Sequence, residues 1–220
     1  RYAVIQMDVV GRDVDGFVEA VEQHLDAELD IPAGYWFEWG GAFENQQRAL
    51  ARLALIVPVT IFFIFLLLYT AFNSAKFATM IIANVPFATI GGILALAISG
   101  QYVSVPSAVG FIAVFGVAML NGVVLVSYMN ELRGKGLALS EAVRQACVLR
   151  LRPVLMTAFT TILAIIPLLL STGVGAETQR PLATVVIGGL FSSTFLTLIL
   201  LPAIYEWVEA SDQPATVPAQ

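Results

Sequence analysis

The chain has 220 residues, of which 58% are hydrophobic and 12% charged, with a formal net charge of −5. A soluble domain carries about a quarter charged residues, so the composition excludes an ordinary soluble protein and points to a membrane protein. Ten of the sixteen acids precede residue 45 and none lies between Ala49 and Asn130, so an acidic soluble piece is joined to a membrane piece. The single Cys147 excludes an internal disulfide framework. Because the chain starts at Arg1 with no signal peptide, it is expected to be the C-terminal part of a longer protein.

Residues 3–10 alternate Ile5, Met7 and Val9 with Gln6, Asp8 and Val10, which predicts a strand. After a turn at Gly11-Arg12-Asp13, a helix is expected over 14–29. Phe17, Val21, Leu25 and Leu29 line one face of it, with Glu19, Glu22, Asp26 and Glu28 opposite. Pro32-Ala33-Gly34 ends it, and 35–39 alternates as a second strand. A strand–helix–strand unit of about 40 residues cannot bury its own apolar faces. Residues 1–41 are therefore expected to be half of an α+β subdomain.

Beyond Gly40-Gly41 the chain turns helical and then apolar. Glu44 and Arg48 are four apart, in the order that favours a helical pair. A bilayer core needs about 20 apolar residues of helix, and five runs meet this, at about 53–72, 78–98, 106–129, 153–171 and 182–207. Pro58, Pro86 and Pro167 fall inside crossings, where neighbouring helices can satisfy the freed carbonyls. Residues 42–207 thus read as a membrane all-α part with five transmembrane helices. A short amphipathic helix is expected at about 140–149. Leu139, Val143 and Ala146 line one side of it, and Arg144, Arg150 and Arg152 reach toward lipid phosphates of the inner leaflet. Residues 208–220 are expected to be a disordered cytoplasmic tail. Lys76, Arg133, Lys135, Arg144, Arg150 and Arg152 share the first and third loops, while the other two hold only Arg180. The positive-inside rule then puts residues 1–41 outside and the C-terminus inside.

Asn121 sits within the apolar run 110–133, itself part of a stretch, 77–130, with no charged residue. An amide at mid-membrane costs free energy unless it finds a partner, so it has to face protein or water. The interior of the crossings offers no carboxylate, His, Lys or Arg as a proton carrier, only amides, hydroxyls and small residues. Thr157 and Thr161, with Thr160 beside them, have two readings: hydroxyls bonded back to their own helix, or a polar seam facing Asn121. Gly188 and Ser192 are four apart, following Thr184, and Gly189, Ser193 and Thr197 repeat the spacing. Small residues at that interval predict close helix packing. Asn84, two residues before Pro86, reads as a cover for carbonyls freed by a kink. His24 and Glu28 have a spacing that could hold a metal but read better as a solvated helix face. There is no GxSxG, CxxC, HExxH or phosphate-loop motif, which argues against a hydrolase or redox enzyme.

The segments GRDVDGFVEAV, IPAGYWFEWGGAFENQQRA, GFIAVFGVAMLNGVVLVSYMNELR, LRLRPVLMTA and TGVGAETQRPLATVVIGGLFSSTFLTLILLPAIY follow one another in this order. They resemble the C-terminal part of the heavy-metal efflux pumps of the resistance–nodulation–division superfamily, cobalt–zinc–cadmium type. The resemblance implies the last five crossings of a twelve-helix inner-membrane subunit, with residues 1–41 in a periplasmic porter subdomain. It also implies a homotrimer, a periplasmic adaptor, an outer-membrane channel, contact with membrane lipid and no nucleic acid. The protein would be a secondary active transporter rather than an enzyme. It would have no cofactor and would exchange protons for divalent cations such as Zn, Co, Cd or Ni. The proton-carrying acids would lie outside this chain, facing the helix of Asn121, and Asn121, Thr157 and Thr161 would be accessories to proton coupling. Copper–silver members carry a Glu and a Lys where this chain has Asn121 and Val154, which favours a divalent substrate. The alternative is a copper–silver or multidrug exporter of the same superfamily.

Overall fold

In hydrocarbon the backbone has to satisfy its own polar groups, so apolar runs of this length fold as helices. The computed structural model describes residues 3–7, 9, 14–28, 34, 36–173 and 175–210. Seven helices are seen among them: α1 (Val14–Glu28), α2 (Ala42–Phe72), α3 (Ala75–Ile82), α4 (Asn84–Ser99), α5 (Val105–Gly134), α6 (Leu139–Leu169) and α7 (Ala176–Ala210). They give five spans long and apolar enough to cross a membrane, with α3 and α4 sharing one. The chain divides into two units, Arg1–Arg52 and Leu53–Gln220.

In the first unit α1 buries Val18. The indole of Trp39 donates to the Glu22 carboxylate at 2.7 Å and meets Phe43 edge to face. The strands expected at 3–10 and 35–39 are not formed among the described residues; residues 8, 10 and 35 lie outside them. A strand exists only through a ladder to a neighbour. Without one, Ile5 and Trp36 stand 81% and 79% exposed, so alternation alone did not make a sheet.

The second unit is built around α7, which touches α3, α4, α5 and α6 and makes its largest contact with α4. That contact is backbone against backbone. A Cβ added to Gly188 would lie 2.3 Å from the Ala95 Cβ and 2.7 Å from the Gly91 carbonyl oxygen, and one added to Gly91 would lie 2.2 Å from the Ser192 Cβ. Gly189 lies the same way against the Ala88 carbonyl and Val114.

The second crossing is broken at Ala83, three residues before Pro86, which has no N–H to continue the ladder. Pro58, Pro153, Pro167, Pro181 and Pro202 remain inside continuous helices. Gly100 closes α4 in the left-handed conformation, at φ 65°. Ser104 and Ser107 then open α5: the Ser104 N–H donates to the Ser107 hydroxyl, which donates back to the Ser104 carbonyl.

The segment 140–149 is not a separate helix but the first part of α6, continuous through Pro153. The residues between, Leu149 to Arg152, are strong helix formers that give the chain no reason to stop. Ala142, Val143 and Ala146 are buried in one cluster with Leu125, Met129 and Leu132, so its apolar side meets protein. Residues 208–210, expected in the tail, complete α7, and 211–220 lie outside the described residues.

Gly188→Ala should lower the detergent-solubilised protein's stability by about 1–3 kcal/mol through overpacking. Gly116→Ala, with nothing within 4 Å of the new methyl, should leave it unchanged or slightly higher. Thermal unfolding of the two variants side by side checks this.

Candidate functional site

Asn84 of α4 packs against Gly122 of α5, the residue after Asn121, and the structure treats the two amides differently. Asn84, at the start of α4, is 3% exposed. Its Nδ2 donates to the Ile81 carbonyl at 3.1 Å, across the break before α4, and its Oδ1 accepts from the Thr197 hydroxyl of α7 at 3.3 Å. Gly122 of α5 lies against it: an added Cβ there would come within 3.0 Å of the Asn84 Nδ2. Asn84 therefore covers a carbonyl at the kink and also bridges three crossings. The link to Thr197 spans 113 residues, and local pattern could not reveal it.

Asn121 immediately precedes Gly122. It is half-buried, between buried Met119 and Gly122, in the middle of α5. Among the described residues its side chain has no hydrogen-bond partner. An amide has two donor hydrogens and an acceptor oxygen, and the half-buried side chain leaves them accessible to a further group.

The threonines of α6 do not meet this need. Thr157 donates to Val154 O at 2.9 Å, Thr160 to Met156 O at 2.7 Å and Thr161 to Thr157 O at 2.8 Å. Each hydroxyl proton is thus directed into its own helix. Only acceptor lone pairs remain for another partner.

Gly188, Gly189 and Ser192 belong to the α4–α7 contact. Ser192 also donates its hydroxyl to the Phe87 carbonyl at 3.0 Å, the carbonyl of the residue after Pro86. Elsewhere Gln101, in the connection between α4 and α5, donates to the Thr184 hydroxyl at 3.1 Å.

At the other end of the bundle Tyr205 is fully buried. Its ring stacks on Phe77 at 5.7 Å and its hydroxyl donates to Asn130 Oδ1 at 2.6 Å. Arg133 pairs with Glu209 beside it. Together these tie α3, α5 and α7. The only local signal for this cluster was an aromatic and an amide near the ends of two crossings. Nearby, Lys135 pairs with Glu131 at 2.6 Å, and that hydrogen bond holds the ammonium above its usual pKa range.

His24 and Glu28 are exposed on α1. Among the described residues no three His, Cys, Asp or Glu side chains come together as a metal site.

The chain matches the AcrB/AcrD/AcrF family over residues 1–209. It is 49% identical over 215 residues to the cobalt-zinc-cadmium resistance protein CzcA of Cupriavidus metallidurans, covering 98% of this chain and 20% of that protein. To the nickel-cobalt-cadmium resistance protein NccA of Alcaligenes xylosoxydans xylosoxydans it is 45% identical over 204 residues, 93% of this chain and 19% of that protein. It also superposes on a crystal structure of a heavy metal efflux pump with a TM-score of 0.79 at 45% identity, covering 92% of this chain and 20% of the other. The chain spans about a fifth of the length of these relatives.

Replacing Asn84 with Ala should cost about 1–2 kcal/mol, because it uncovers the Ile81 carbonyl and leaves Thr197 unpaired. Thr161→Val removes only a bond within one helix turn and should stay within about 0.5 kcal/mol of the parent. Denaturation midpoints in detergent separate the two.

Proposed function

We propose that this chain, which belongs to the AcrB/AcrD/AcrF family, is part of the membrane domain of a proton-driven exporter of divalent heavy-metal cations. Relatives named for resistance to cobalt, zinc, cadmium and nickel, 45–49% identical across nearly the whole chain, support that substrate class. Within the chain, the observation that carries the reading is the amide of Asn121, without a hydrogen-bond partner among the described residues and held at mid-helix in a segment with no charge.

In this reading a carboxylic acid on a helix outside the chain carries the proton, and Asn121 is its hydrogen-bond partner. An amide can donate to the carboxylate and accept from the protonated acid, so the bond reverses direction each time the acid changes state. The chain's own contribution is to aim the amide. Asn84 against Gly122 sets the rotation of α5 at this level, and Val114 against Gly189 sets it two turns away. Thr157 and Thr161 take part as acceptors only. Val154, where the resemblance puts a Lys in copper–silver pumps, is a buried apolar residue, which fits a divalent substrate.

The wider architecture belongs to the same proposal. Residues 1–41 lie in the periplasm as half of an α+β porter subdomain whose partner strands come from elsewhere in the protein. The C-terminus is cytoplasmic. The pump acts as a homotrimer with a periplasmic adaptor and an outer-membrane channel.

Asn121→Leu in the intact pump tests the mechanism. Loss of a hydrogen bond to a charged group, about 2 kcal/mol, should slow proton-coupled Zn²⁺ transport in proteoliposomes about thirtyfold. Trimer assembly and melting temperature should not change. Transport at the parent rate would remove Asn121 from the coupling.

A further inference from the structure

We infer that the end of α5 and the first half of α6 bind anionic phospholipid, with Arg150 and Arg152, on different sides of α6, each contacting a headgroup phosphate. The inference takes from the proposal above only that these residues lie at a membrane face; it needs no assumption about the transported ion.

Residues 130–152 carry five basic and two acidic side chains in a chain whose net charge is −5. Three of the five cations have protein partners: Arg133 with Glu209, Lys135 with Glu131, and Arg144 with Glu141. The other two do not pair in this way. The Arg150 guanidinium lies 4.8 Å over the Tyr128 ring, close enough to Glu131 for their charges to interact. Arg152 is exposed and has no ion pair or hydrogen bond among the described residues.

Their position fits a headgroup. Immediately after Arg152, residues 153–176 contain no charge, so the two arginines mark the edge of an apolar span, where lipid phosphates lie. Around them Val148 and Leu149 are 67% and 55% exposed, with Leu151 and Met156 also exposed. Such a surface suits acyl chains below and phosphates above, with each arginine stem lying along the apolar part. A cleft of about 230 Å³ lined by Arg144, Gln145, Val148 and Leu149 with Glu141 adjoins this face.

The chemistry selects the lipid class. Seated over the Tyr128 ring, the Arg150 guanidinium is held in place by a cation–π contact and has N–H groups to spare for a two-pronged contact with phosphate oxygens. A zwitterionic lipid brings its own ammonium to compete for those oxygens, whereas an anionic lipid does not.

The test uses the intact pump in nanodiscs of phosphatidylcholine with or without phosphatidylglycerol. Native mass spectrometry then counts the lipids retained after extraction. The parent should retain phosphatidylglycerol in preference to phosphatidylcholine, and excess inorganic phosphate should not displace it. Each of Arg150→Gln and Arg152→Gln should weaken that preference about fivefold. Arg152 touches no other described side chain by hydrogen bond or ion pair, so Arg152→Gln alone decides the matter should Arg150→Gln fail to fold. Equal retention of the two lipids by the parent, or an unchanged preference in Arg152→Gln, would overturn the inference. Displacement by inorganic phosphate would also overturn it, by showing a free-anion site instead. A transport-deficient Asn121→Leu pump should keep the lipid preference, which separates this site from the coupling mechanism.

Discussion

Gly91 and Gly188 bring the backbones of α4 and α7 into direct contact, and the rest of the helical unit depends on that approach. Lipid tails are as apolar as leucine, so no hydrophobic force draws two membrane helices together. Packing and hydrogen bonds have to do so, and both strengthen as the axes close. With no side chain at either position, the Gly91 carbonyl oxygen comes to within 2.7 Å of where a Gly188 Cβ would stand. One turn along α7, Ser192 is then near enough to bond the Phe87 carbonyl. On its neighbouring stripe Gly189 leaves room for Val114 of α5. The small residues of α7 thus hold α4 on one side and α5 on the other.

The position of Asn121 follows from this packing. Asn84 stands at the break between α3 and α4, and it is held from α7 by Thr197 and met from α5 by Gly122. A side chain at Gly122 would push α5 away, and a rotated α5 would present a different residue at mid-membrane. The packing that seats Gly122 against Asn84 therefore leaves Asn121, the residue before Gly122, half-buried and without a hydrogen-bond partner among the described residues. A buried polar network is normally completed within the fold. Asn84 meets that rule, and the half-buried Asn121 amide beside it is accessible to a group that arrives from elsewhere.

The parts of this arrangement that were readable from the sequence are those set by periodicity. Charge-free runs of about 20 residues marked the five crossings, and the four-residue intervals Gly188–Ser192 and Gly189–Ser193 marked a packing face. What the interval could not name was the partner: Gly91 and Ala88 lie in a run where nearly every residue is small or apolar. The Asn84–Thr197 and Asn130–Tyr205 bonds join residues 113 and 75 positions apart, beyond any local pattern. Alternation at 3–10 and 35–39 describes a preference that only a neighbouring strand can realise, and the described residues supply none. The 140–149 segment has the amphipathicity of a surface helix. Its register nonetheless continues through Pro153, because a proline costs a membrane helix less where neighbouring helices can satisfy the freed carbonyl.

The whole arrangement rests on the backbone contact between α4 and α7, which should hold the two helices together as one body. Spin labels at Ile98 on α4 and Ile199 on α7, both exposed, with Cys147 replaced, report the distance between the two helices in the intact pump. With one labelled protomer per trimer, the account predicts a single narrow distance distribution that stays the same when a proton gradient and Zn²⁺ are applied. A second population, or a shift approaching one helical turn of about 5 Å, would contradict it.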